Sequence, residues 1–123
     1  MKGALVSALL AGVLGGIGCL SAGQITAELR HLDELSRDAQ TGYLRCLSVA
    51  GLTPEKVPTD AAAPPACLPD RRCLASTTAA SAAGAQAVAS GKFDPWLRGP
   101  AAQRYRGLYP AAVLVCRSPA GAP

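Results

Sequence analysis

The chain has 123 residues, of which 50% are hydrophobic and 16% are charged, and its 12 basic and 8 acidic residues give a formal net charge of +4. This length allows one small domain, and the modest positive excess argues against a nucleic-acid partner. Asparagine is absent and arginine far exceeds lysine. We interpret this composition as that of a bacterial, GC-rich coding sequence without N-glycosylation sites.

Residues 3–22 form an uncharged run of apolar and small residues, GALVSALLAGVLGGIGCLSA, which follows Lys2. Such a run directs a chain to a membrane, and three interpretations of it are open. In the first, the run is a signal peptide that is cleaved after the small residues 21–23, and the mature chain then begins at Gln24.

The other two interpretations keep the chain at the membrane. The run is just long enough to span a bilayer as a helix, and small residues four apart, among them Gly12 and Gly16, form a face of the kind through which membrane helices associate. Alternatively, the sequence before Cys19 resembles the end of a bacterial lipoprotein signal, which makes Cys19 a candidate for lipidation.

Residues 24–50 carry the strongest helical pattern in the chain. Large apolar residues recur at steps of three and four, and the charged residues fall mostly between them, which is the pattern of an amphipathic helix. Ser21, with Gln24 three residues later, has the form of a helix N-cap. Gly51 stands where a glycine commonly ends a helix.

The middle of the chain is rich first in proline and then in alanine. Thr53 and Pro54 have the form of a short helix start, and residues 58–70, with four prolines, predict an extended linker. The alanine-rich residues 75–90 predict either a thin helix packed closely on a neighbour or a low-complexity spacer.

The last third of the chain predicts short elements. Residues 101–106 are compatible with one short helix, and the valine-rich residues 111–116, which follow Pro110, predict an extended segment pinned by a disulfide. Residues 118–123 predict a disordered tail.

Four cysteines lie beyond the apolar run, and all three interpretations of the run remove Cys19 from the pool of free thiols. An even number of cysteines in a small exported chain indicates two disulfides. The expected pairing is a local Cys67–Cys73 bridge with a long-range Cys46–Cys116 bridge, because a Pro-Asp turn brings the ends of the local loop together. The other two pairings stay open.

Two groups of residues are candidate interaction surfaces. One is the apolar stripe of the first helix, and the other is a cluster of aromatic and basic residues suited to a lipid interface or to stacking on sugars or bases. In the competing interpretation, the stripe packs on the rest of the domain, and Phe93, Trp96 and Tyr109 form the small core while the arginines keep the surface soluble. The two groups are Ile25, Leu29 and Leu32, and Trp96, Arg98, Arg104 and Tyr105.

No catalytic, metal or cofactor site is indicated. His31 lies on the charged helix beside Leu32, where a surface or interface histidine is more common than a general base. The cysteine spacing fits neither a Cys-x-x-Cys redox motif nor a zinc site, and no phosphate-binding glycine loop is present. We therefore expect no enzymatic activity, no metal and no cofactor.

Together these features predict a small, mainly α-helical, disulfide-stapled protein. Residues 1–23 are a signal peptide or anchor, and residues 24–117 are an exported domain in the periplasm, outside the cell or on the outer face of the inner membrane. We expect a binding or structural role at the cell envelope, with the membrane, an envelope protein or a second copy as partner and no nucleic acid. The alternative is a short single-pass subunit or phage-type lysis accessory that self-associates through Gly12 and Gly16.

Overall fold

Three helices form the framework of the protein, and a computed structural model of the chain describes residues 20–90, 96–97 and 99–117. The helices are α1 (Ala22–Val49), α2 (Leu68–Ser90) and α3 (Pro100–Arg117). Two short strands, β1 (Leu20–Ser21) and β2 (Trp96–Leu97), form an antiparallel pair. Because β1 leads directly into α1 and β2 lies shortly before α3, both helices start at one end of the bundle, and α2 ends there. The prediction of a small, mainly helical, disulfide-stapled protein is confirmed.

Helix α1 is the longest element, and its ends follow the predicted signals. The Ser21 hydroxyl accepts a hydrogen bond from the backbone N–H of Gln24 at 3.0 Å, as an N-cap does. At the other end Gly51 has φ +74°, a left-handed conformation that glycine adopts without steric cost. The helix begins at Ala22, two residues before the predicted start.

The apolar stripe of α1 packs inside the bundle. Ile25 and Leu32 are fully buried against a face of α2 that consists of small residues and against the first turns of α3. The buried partners from these two helices are Ala80, Ala83, Ala87, Ala102, Tyr105 and Ala112. The alanine-rich segment is therefore the thin, closely packed helix that the sequence predicted as one of two alternatives.

Gly84 lies at the closest approach between the helices. A Cβ atom added there would lie 2.8 Å from Leu29 Cδ2 and 2.8 Å from Cε1 of the Tyr105 ring. The Leu29 tip can turn away, but the Tyr105 ring is fully buried and has no free space to move into. The missing side chain at Gly84 therefore sets the distance between α2 and α3.

A second core cluster lies at the opposite end of the bundle. Helix α3 has 18 residues and α1 has 28, lengths of about 27 and about 42 Å, so α3 does not extend over the last turns of α1. The connection between α1 and α2 covers them instead, and Val57 and Ala63 pack on Tyr43 and Leu47.

Arg71 fastens this connection to the helices. Its guanidinium donates through Nε to Asp60 Oδ1 at 2.6 Å, and through Nη1 to Tyr43 Oη at 3.0 Å and to the carbonyl of Val57 at 3.1 Å. The carboxylate and the phenol oxygen raise the pKa of Arg71. One side chain thus joins α1, the connection and α2.

The prediction of an extended linker at residues 58–70 is wrong. The segment contains two 3₁₀ turns, and α2 already starts at Leu68. Pro65 lies in the first positions of its turn and Pro69 in the first turn of α2, where a missing backbone N–H removes no helical hydrogen bond. These two prolines therefore begin helical turns, whereas Pro58 and Pro64 lie outside them. The two turns are Asp60–Ala62 and Pro65–Cys67.

The prediction of an extended segment at residues 111–116 is also wrong. Helix α3 continues through Pro110 to Arg117, although a proline inside a helix removes one hydrogen bond and clashes with the preceding turn. Tertiary contacts outweigh this cost, because Ala112 is fully buried and Cys116 is bonded to α2. The short helix predicted at 101–106 is the first part of this longer helix.

The four cysteines beyond the apolar run form two disulfides, as predicted, but the pairing differs from the expected one. Cys46 of α1 is bonded to Cys67, just before α2, and Cys73 of α2 is bonded to Cys116 of α3. The local Cys67–Cys73 bridge is excluded because the turn expected between these residues is the first turn and a half of α2.

Several predicted features lie outside the described residues. They are the apolar run up to residue 19 with Gly12, Gly16 and Cys19, the residues Phe93 and Arg98, and the tail at 118–123. Within the described ranges, no helix is long and apolar enough to cross a membrane.

Replacing Gly84 by alanine tests the close approach of α2 and α3. We expect the free energy of unfolding to fall by about 1–3 kcal/mol, because the new methyl group overpacks the contact with Tyr105. Gly107 is the matched control, since a Cβ there meets nothing within 4 Å, and Gly107→Ala should stabilise α3 by up to about 1 kcal/mol. Urea unfolding followed by circular dichroism measures both changes, and equal effects would contradict the packing argument.

Trypsin digestion without reduction tests the disulfide pairing. Arginine and lysine residues separate the four cysteines onto different peptides, so each pairing gives its own pair of linked masses. We expect peptide 46–56 linked to 57–71, and peptide 73–92 linked to 107–117. A link between 57–71 and 73–92 would show that the local bridge forms after all.

Candidate functional site

The structure gathers most of the predicted aromatic and basic cluster at one end of the bundle. We call this end the ladder end, after the pair of strands that closes it. It comprises the two strands, the first three turns of α1, the last three turns of α2 and the first three turns of α3. These are residues 20–32, 80–90, 96–97 and 99–110.

The strand pair connects the start of the domain to the segment before α3. Leu20 pairs with Leu97, and Ser21 pairs with Trp96. Neighbouring strands lie about 4.8 Å apart, so the backbone of Trp96 runs beside Ser21, which also caps α1. Strands of two residues leave no readable period in a sequence, and the sequence therefore did not indicate this pairing.

Tyr105 is a core residue that carries one polar contact. Its ring is fully buried, and its hydroxyl donates a hydrogen bond to Glu28 Oε1 at 2.9 Å. Burial, together with the nearby carboxylate, raises the pKa of Tyr105 well above that of free tyrosine. The phenol therefore stays protonated and holds α3 on α1. Its prediction as part of an interaction surface is wrong, and the core aromatics that the competing interpretation named did not include Tyr105.

His31 and Tyr109 form a second polar contact between the same helices. His31 Nδ1 and Tyr109 Oη are 2.8 Å apart, and the two rings meet edge to face at 6.1 Å. Tyr109 also stacks on Tyr105 at 6.0 Å, and burial, with the charge of Glu28, raises its pKa. His31 therefore lies at the interface between two helices. The sequence predicted either a surface or an interface location for it.

The sequence did not single out this polar cluster, although it carries a signal. Glu28 and His31 are three residues apart and Tyr105 and Tyr109 are four apart, so each pair lies on one helix face. Two such faces with complementary donors and acceptors indicate a helix contact. The groups satisfy one another, and in the part of the chain that the structure describes no buried side-chain nitrogen or oxygen lacks a partner.

Charge is unevenly distributed over the described residues. The ladder end carries three arginines and one carboxylate, that of Glu28, which is bonded to Tyr105. The remaining described residues carry six basic and six acidic side chains. Arg30 and Arg104 are exposed to solvent, so the ladder end is the positively charged part of the described surface.

The other predicted surface, the apolar stripe of α1, is not available to a partner. Ile25 and Leu32 are fully buried, and Leu29 is half-buried against the same core. Its prediction as an interaction surface is therefore wrong, and the competing interpretation, in which the stripe forms the core, holds.

Two open depressions lie away from the ladder end. A groove of about 410 Å³ runs beside the Cys46–Cys67 disulfide and is lined mainly by apolar atoms, with Val49 87% exposed at its side. A wider depression of about 550 Å³ contains the Arg71–Asp60 ion pair. Neither places a nucleophile beside a general base, and in the described ranges no cluster of three or more potential metal ligands occurs.

No protein-family model matches the chain, and neither a curated protein nor a solved structure is significantly similar to it. A functional assignment therefore depends on the residues of this chain. Its most informative features are the two disulfides, the polar cluster and the charge of the ladder end.

Replacing Tyr105 by phenylalanine tests the polar contact with Glu28. We expect the free energy of unfolding to fall by about 1–2 kcal/mol, because the half-buried carboxylate loses its donor while the ring still fills the core. A double-mutant cycle with Glu28→Ala isolates the pair. Additive effects of the two substitutions would contradict the contact.

The pH dependence of stability provides a second test of Tyr105. The pKa of Tyr105 is higher in the folded protein than in the unfolded chain, where it is about 10. Its contribution to the free energy of unfolding is therefore complete below pH 10 and is lost as the pH rises above 10. The native chain should therefore lose stability more steeply above this pH than Tyr105→Phe does. Urea midpoints measured across this range compare the two, and parallel curves would contradict the assignment.

Proposed function

We propose that this chain is an exported protein of the cell envelope that acts by binding or by a structural role and has no enzymatic activity. In this proposal the three-helix bundle is the exported domain, and the apolar run delivers it to the membrane. The ladder end is its contact surface.

The two disulfides are the observation that carries the proposal. They link α1 to the 3₁₀ turn directly before α2, and α2 to α3, so each of the three helices is held by a covalent link at or next to it. Structural disulfides of this kind form and persist in oxidising compartments outside the cytoplasm. The small side chains of the α2 core bury little apolar area, so we expect the two disulfides to contribute substantially to the stability of the fold.

The apolar run supports export independently of the cysteines. Residues 3–19 contain no charged side chain, and a run of this kind is typical of a signal peptide or a membrane segment. The fold follows it at once, because β1 begins at Leu20.

The chemistry of the described side chains supports a binding role over a catalytic one. His31 is engaged with Tyr109, and the Glu28 carboxylate accepts from a phenol that stays protonated. A general base needs a free lone pair within reach of a substrate, and these two groups are committed to the contact between α1 and α3.

The thiol state of the chain in a living bacterium tests the proposal. The full chain is expressed, the cells are quenched in acid, and free thiols are alkylated under denaturing conditions before peptide mapping. We expect Cys46, Cys67, Cys73 and Cys116 to react only after reduction. A control chain without residues 3–19 should stay in the cytoplasm, and its four thiols should react directly. Free thiols in the full chain would overturn the proposal.

A further inference from the structure

We propose that the mature chain retains residues 20–23, and that the ladder end lies on an anionic bilayer surface with strand β2, which contains Trp96, at the depth of the lipid head groups. This inference rests on the proposed function, since it assumes export, and it names the partner of the contact surface. It favours the two interpretations in which the chain stays at the membrane.

Residues 20–22 belong to the folded domain. Leu20 and Ser21 form β1, and the Ser21 hydroxyl caps α1. The Ala22 carbonyl accepts a hydrogen bond from Thr26 Oγ1 at 2.8 Å, and its side chain packs on the core. A chain that began at Gln24 would lose all of these contacts.

Cleavage before Gln24 would also place a charge at an unfavourable position. The new α-amino group would stand one residue before Ile25, which is fully buried. It would lie at the positive end of the α1 dipole, where a cation is destabilising. The complete fold therefore requires an N-terminus at or before Leu20.

Retention of these residues fixes the distance between the domain and the membrane. In the sequence, Leu20 directly follows the uncharged run, so a membrane helix or a lipid on Cys19 ends next to β1. The strand pair then holds the backbone of Trp96 about 4.8 Å from that of Ser21, which is two residues after Cys19. Tryptophan is enriched where a chain crosses from lipid to water.

The charge of the ladder end suits an anionic surface. Arg30 and Arg104 are exposed there, and the Glu28 carboxylate, which would otherwise oppose them, lies half-buried against Tyr105. Basic residues near an anionic membrane are attracted to it within about a Debye length. The described residues outside the ladder end have no net charge, so they do not attract another part of the bundle to the membrane in its place.

The single tryptophan of the chain is a direct probe of this geometry. The full chain is reconstituted into phosphatidylcholine vesicles that contain phosphatidylglycerol and a lipid brominated either near the head group or near the chain end. We expect the fluorescence of Trp96 to be quenched, and more strongly by the shallow bromine. Emission typical of solvent-exposed tryptophan, without quenching, would overturn the proposal.

A second chain with its tryptophan at the opposite end of α1 is the matched control. Val49 is 87% exposed and lies about 40 Å along the helix from Ala22. The variant Trp96→Phe with Val49→Trp keeps the same membrane attachment and should show no quenching. Equal quenching at both positions would mean that the bundle lies flat on the bilayer, which also overturns the proposal.

Charge reversal separates the role of the arginines from that of the apolar run. In the native chain, phosphatidylglycerol should increase the quenching of Trp96 over that in vesicles of phosphatidylcholine alone. In the double variant Arg30→Glu/Arg104→Glu, quenching should be the same in both kinds of vesicle. The control Arg45→Glu/Arg72→Glu changes two exposed arginines outside the ladder end and should keep that increase. The same loss in both variants would mean that overall charge, and not the ladder end, governs the contact.

The N-terminus of the mature chain provides the last test. Intact-mass measurement of the exported protein should show either the uncleaved run or a lipid on Cys19. An unmodified chain that begins at Cys19 or Leu20 would be detached from the membrane and would overturn the inference. A mature chain that is oxidised and exported but begins at Gln24 would overturn this inference and leave the proposed function in place. Free thiols in the four bridging cysteines would instead overturn the proposed function.

Discussion

The arrangement of the three helices depends on one contact, that of the Tyr105 ring with Gly84. Helix α2 presents alanines and this glycine to its neighbours, so the helices approach closely and the large side chains come from α1 and α3. Dispersion contacts are numerous at such short distances, and they compensate for the small apolar area that alanine buries. The Glu28 and His31 contacts then fix the rotation of α3 on α1, because each needs its partner on a particular face.

A core of this kind explains why covalent links matter to the fold. The two disulfides span 21 and 43 residues of sequence, and the chain-entropy account assigns them about 3 and about 4 kcal/mol of stability. They also act at different places. Cys73–Cys116 holds the part of α3 beyond Pro110 on α2, and Cys46–Cys67 closes the connection over the last turns of α1.

The sequence predicted those elements whose signals are local. Helix α1 follows from its apolar period and from Ser21 and Gly51 at its ends, and the alanine-rich segment favoured a helix by propensity alone. The sequence also indicated two disulfides from the number of cysteines. These features need no knowledge of which segments meet in space.

The errors arose where tertiary contacts override local preference. The sequence predicted a short helix that ends at residue 106 and an extended segment after Pro110, but the buried Ala112 and the bonded Cys116 keep α3 continuous to Arg117. The prolines of residues 58–70 indicated an extended chain, although a proline also fits the first turn of a helix. Of the predicted aromatic and basic cluster, Arg104 is exposed while Tyr105 is buried, because the sequence does not show which face of α3 meets α1. The strand pair escaped prediction because two residues do not define a period.

The unequal lengths of α1 and α3 divide the bundle into two units of different stability. The first half of α1 is covered by α2 and α3, whereas its last turns are covered by the start of α2, with Leu68 and Leu74, and by the connection that Arg71 and Cys46–Cys67 hold in place. Local opening follows such divisions in native proteins. A partial opening around Leu47 therefore need not disturb the part of α1 around Leu32. Reduction of that single disulfide would then loosen one end of the molecule while the end that carries Trp96 keeps its shape.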